Sequence, residues 1–68
     1  MSFQAYIDNI KAKTGKSPED FRDLARAKGL LAKGTKATQI TDWLKAEFAL
    51  GHGHAMAIYA TLKPHIGA

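Results

Sequence analysis

The sequence contains no cysteine, only two prolines, a single tryptophan and no long apolar run. Without cysteine, disulfides, thiolate metal sites and thiol nucleophiles are excluded together, and a reducing compartment is the natural setting. A membrane-spanning helix needs roughly 18 or more consecutive apolar residues, so no membrane role is expected. The opening MSFQAYIDNI carries Asp8 and no basic stretch ahead of an apolar core, which argues against a targeting segment and for a cytoplasmic protein. Acidic residues are also scarce, six against ten Lys and Arg, for a formal net charge of +4. The excess is local. Residues 9–36 hold eight basic side chains against three acidic ones, a net +5, whereas residues 37–68 balance two against two. A basic half suits a polyanion such as nucleic acid, and a mixed solvated face equally well.

With 68 residues, the chain is read as one domain, 1–68, with its ordered core at about 2–63 and a short tail at 64–68. A chain this short buries only ~60% of its unfolded surface, so self-association is a plausible aid to stability. Apolar residues recur at helical spacing and nowhere alternate as in a half-buried strand. The expected class is therefore all-α, a compact bundle of four short helices at about 2–13, 18–28, 36–50 and 53–63. Ser2 is the expected cap of the first helix, and Ser17 with Pro18 opens the second. Gly15, Gly29 and Gly51 each stand where a left-handed stop is wanted, with Leu30 folding back after Gly29 and Thr35 or Thr38 capping the third helix. Phe3, Ile7, Ile10, Phe21, Leu24, Ile40, Leu44, Phe48, Ile58 and Leu62 form the predicted core, closed by Trp43 and Tyr59. Met56 and Ala60 fall on the other side of the last helix beside Lys63, a strip suited to a partner.

Motifs that would carry catalysis are incomplete. GLLAKGTK at 29–36 spaces Gly29 and Gly34 as a phosphate loop does, but Thr35 precedes Lys36 where the motif needs Lys first, and no strand leads into it. Ser2 and Ser17 are accounted for as caps, and Asp42 and Glu47, five apart, do not form an acid/base pair on one face. His52, His54 and His65 are the candidate metal ligands. On a helix, residues two apart point about 200° apart, and with no Cys or adjacent acid a closed metal site is not expected. The chain reads as a non-catalytic module without a cofactor.

Gly51-His52-Gly53, with Ala57 four positions on, has the G-x-G-x-x-x-A outline of the helix-hairpin-helix element, which it resembles from Trp43 to Leu62. That resemblance implies backbone amides of the corner and of the next helix's N-terminus gripping a phosphate. The departures are a polar His52 where an apolar residue usually packs inward, and no Lys or Arg in the turn after Gly53. A tight structural corner also accounts for two close glycines. The candidate nucleic-acid residues are Lys11, Lys13, Lys16, Arg22, Arg26, Lys28, Lys33 and Lys36 for phosphates, with Gly51, His52, Gly53 and His54 as a backbone anchor. Taken together, MSFQAYIDNIKAKTGKSPEDF, AKGLL, ITDWLKAEF and LGHGHAMAIYATLK resemble the bacterial family of domain of unknown function 4287 from Ser2 to Lys63. The resemblance implies a short bacterial domain that occurs alone or ahead of another, and brings no activity or site residues with it. Nucleic acid, a protein partner or a second copy of the chain remain the partner classes.

Overall fold

The computed structural model describes residues 3–67. Local chemistry decides where each helix starts and stops. Helix α1 runs Phe3–Thr14, and Gly15 at φ 74° ends it, its N–H donating to Lys11 O at 2.7 Å. The expected Ser2 cap lies outside the described residues. Helix α2, Pro18–Ala27, opens on a complete capping box: Ser17 N–H donates to Asp20 Oδ2 at 2.9 Å and Asp20 N–H to Ser17 Oγ at 3.3 Å. It closes with a Schellman motif, in which Leu30 N–H reaches Ala25 O at 2.8 Å and Gly29 N–H reaches Arg26 O at 3.1 Å.

Helix α3 spans Ala37–Phe48, and neither Thr35 nor Thr38 caps it. Lys36 occupies the cap position with no side-chain cap, and its backbone N–H donates to Gln39 Oε1 at 2.7 Å, half of a capping box. The helix stops two residues before the expected Leu50. Ala49, at φ 53° and ψ 33°, takes the left-handed bend that was expected of Gly51. Stopping there lets Leu50 turn into the core, where it is buried. Helix α4, His52–Leu62, begins a residue early, and a 3-10 turn at Lys63–His65 accommodates Pro64.

Helix α4 carries no Lys, Arg, Asp or Glu and is apolar or small nearly all round. A helix of that composition belongs inside, and α1, α2 and α3 each pack against it. Its Ala55, Ala57, Ile58 and Leu62 are buried among Ile10, Phe21, Ile40 and Leu44. Each large apolar side chain so buried contributes ~1.5–3 kcal/mol. Phe48, half-buried, joins two edge-on aromatic contacts, to Phe21 at 5.1 Å and to Trp43 at 5.6 Å.

The predicted core needs correction at its margins. Phe3 is 51% exposed, because periodicity fixes a face and not how far a partner covers it. Leu24 and Tyr59 are only partly buried, while Leu31, Leu50 and Thr41 are buried. Leu31 sits in the 28–36 loop, which the chain's end ties down through Gly67 N–H to Leu31 O at 2.8 Å.

Candidate nucleic-acid interface

The corner at 49–54 is built by the arrival of three elements. Lys13, in the last turn of α1, donates its ammonium to Ala49 O at 2.9 Å. That bond neutralises a carbonyl at the negative end of α3. One residue past buried Leu50, Gly51 is extended, at φ −69° and ψ 166°, and its carbonyl accepts the first bond of α4 from Ala55 N–H at 2.9 Å. His52, Gly53 and His54 are the first three helical residues, whose amides have no intrahelical acceptor. Gly51 has no side chain with which to cap them, and no acid stands in the first turn.

Neither glycine of this corner is demanded by its conformation or its surroundings. Both lack positive φ, and a Cβ built at either meets nothing within 4 Å. The expectation that a tight corner explains them is therefore corrected, since Ala49 makes the bend. What the glycines leave is open space over bare backbone at the positive end of a helix. A backbone without Cβ atoms can be approached closely by an anion.

The two histidines separate. His54 is half-buried and meets the Tyr6 ring edge-on at 5.5 Å, so it belongs to the α1–α4 contact, while His52 is exposed. His65 lies in the 3-10 turn beyond the far end of α4. Among the described residues, no three His, Cys, Asp or Glu side chains gather to hold a metal ion.

The eight basic candidates do not all converge. Lys13 joins the corner. Lys28 is held by Glu47 at 2.7 Å, linking α2 to α3. That ammonium holds the Glu47 carboxyl below its ordinary range. The Trp43 indole Nε1 nearby is shielded from solvent and makes no hydrogen bond among the described residues. Lys16 and Lys11 lie close enough to Asp20 to help hold its carboxyl low, after the larger effect of the Ser17 backbone and hydroxyl. Arg22 pairs loosely with Asp23 at 3.6 Å, and Arg22 and Arg26 both line cavities shared with His65. Lys33 lies under Gly67 and Lys36 at the start of α3, both exposed. Sequence reading missed the Lys13–Ala49 bond, the Tyr6–His54 contact and the Lys28–Glu47 pair, because each joins residues distant along the chain without a local motif.

The fold and corner together define a small all-helical domain arranged around one uncharged central helix. The chain belongs to the family described as Domain of unknown function (DUF4287), whose profile matches residues 2–64. No curated protein and no solved structure matches it. No helix among the described residues is long and apolar enough to cross a membrane.

Proposed function

We propose that this domain is a small, non-catalytic binding module of the bacterial cytoplasm, whose partner is the phosphate backbone of a nucleic acid, held at the first turn of α4. The observation that carries the reading is the pair Gly51 and Gly53, bare where neither φ nor packing calls for glycine. Phosphate contacts through backbone amides position a protein without reading sequence. Lys13 reinforces the site: an ammonium has three donors, and Ala49 O takes one of them. His52, exposed on the same turn, adds a ring donor.

A salt titration tests this directly. Fluorescence anisotropy with a labelled duplex and a labelled single strand is expected to show binding whose logarithm falls linearly with log salt, by ~0.7–0.9 for each phosphate neutralised. No binding at low salt, or a complex indifferent to salt, refutes the proposal. Gly51→Asp sharpens the test. A carboxylate at that position caps α4, adding a few tenths of a kcal/mol over glycine and ~0.3–1 kcal/mol through its charge at the positive helix end, and fills the anion site with its own charge. The variant is expected to melt higher and bind less.

A protein-interaction or self-association role draws on a different observation, the exposure of Phe3 at 51% and Met56 at 40%. Sedimentation at rising concentration distinguishes it, since phosphate gripping predicts a monomer with or without these side chains.

A further inference from the structure

At the other end of α4 the structure brings together cationic groups that the corner does not use. Two neighbouring cavities, of about 180 and 350 Å³, open between α2 and the 63–65 turn, and His65 lines both. Arg22 lines the first and Arg26 the second, one helical turn apart on α2, a rise of ~6 Å. Arg22 Nε is shielded from solvent and has no hydrogen-bond acceptor among the described residues; Asp23 Oδ1, at 3.6 Å, is beyond bonding reach. A buried donor left without an acceptor costs ~1–3 kcal/mol, and with a third of its side chain still exposed Arg22 gains by turning this donor toward an oxyanion in the cleft. Thr61 is committed, its hydroxyl donating to Ile58 O at 2.7 Å, and its oxygen leaves no further proton to offer. Glu19 is the one acid on the rim.

We infer that this cleft is a phosphate site separate from the corner, taking two adjacent phosphate groups, one at Arg22 and one at Arg26, with His65 between them. Guanidinium groups suit this task because their planar donors meet two oxygens at once. Two adjacent phosphates occur in a free diphosphate and along a nucleic-acid strand, and the shared chemistry is what the cleft recognises. The inference does not depend on the corner, which lies a helix length away.

The test follows the arginine Nε–H signals by NMR as inorganic pyrophosphate is added at constant ionic strength. The Arg22 and Arg26 signals are expected to shift saturably. Arg22→Lys keeps the charge but loses the planar donor, and is expected to weaken binding about tenfold, the worth of one charge-assisted hydrogen bond. His65→Ala weakens it as well, and Glu19→Gln tightens it by removing the opposing charge. A short single-stranded oligonucleotide then tells the sources apart: displacement of pyrophosphate from Arg22 assigns the cleft to a strand, and no displacement assigns it to a free diphosphate. Unmoved arginine signals, or an affinity unchanged in both Arg22→Lys and His65→Ala, overturn the inference. Gly51→Asp leaves the Arg22 response intact, so the corner and the cleft fail independently.

Discussion

Replacing Gly53 with alanine separates the fold's needs from those of binding. Gly53 is the second residue of α4, without positive φ, and a Cβ there meets no atom within 4 Å. Nothing in the native state offsets the usual preference of a helix for alanine, and the unfolded chain loses freedom. The two effects together favour the variant by ~0.5–1 kcal/mol. For a domain of this size ~1 kcal/mol moves the melting temperature by ~4–8 °C, so a rise of ~2–8 °C is expected. Thermal unfolding followed by far-UV circular dichroism reads the shift. Oligonucleotide affinity at low salt is expected to fall in the same variant, because a methyl group then stands over the amides. A melting temperature that drops by several degrees refutes the reasoning, since it means the fold requires glycine at 53.

Ala49→Gly is expected to raise stability by ~0.5–1 kcal/mol in urea titration, because Ala49 holds a left-handed conformation that glycine adopts freely. Ser17→Ala, which breaks the capping box of α2, is expected to cost ~1 kcal/mol in the same assay. Ile58→Ala empties the middle of the central helix and is expected to cost ~2–5 kcal/mol, comparable with the whole stability of a domain this small, so its amide spectrum should collapse to unfolded dispersion. The Asp20 and Glu47 carboxyls are held below their ordinary values of 3.8 and 4.5. The stability they contribute is therefore present above those values and is lost as pH falls through the lower folded ones. Melting temperature measured from pH 6 downward should decline most below about pH 4.5, and Asp20→Asn together with Glu47→Gln should flatten that decline.

The features that were legible in the sequence are the ones whose causes lie within a few residues. Ser17-Pro18 and Gly29-Leu30 announce a start and a stop through bonds that close inside one turn, and both ends of α2 fall close to where they were placed. Helical spacing likewise placed Ile10, Ile40, Leu44 and Ile58 in the core. The corner misled because glycine is the default left-handed residue, so Gly51 was given the bend that Ala49 makes. What sequence spacing does not reveal is the burial of Leu50, which goes with a turn made two residues earlier than Gly51, at Ala49. Leu31 and Leu50 lie in connections between helices, where no period exists to reveal them. Of the candidate site, the glycine pair could be named from sequence, but its lack of any structural duty is visible only once φ and the surrounding space are known.

The central position of α4 has a consequence for how the protein is made. Of the four helices described, the one on which the other three converge is the last to be synthesised. Helices of 10–12 residues are marginal alone, so a nascent chain that stops short of residue 52 holds amphipathic segments with nothing to share. The core therefore closes only once α4 has been made. Pulse proteolysis of stalled chains should show protection arriving all at once when α4 clears the exit tunnel.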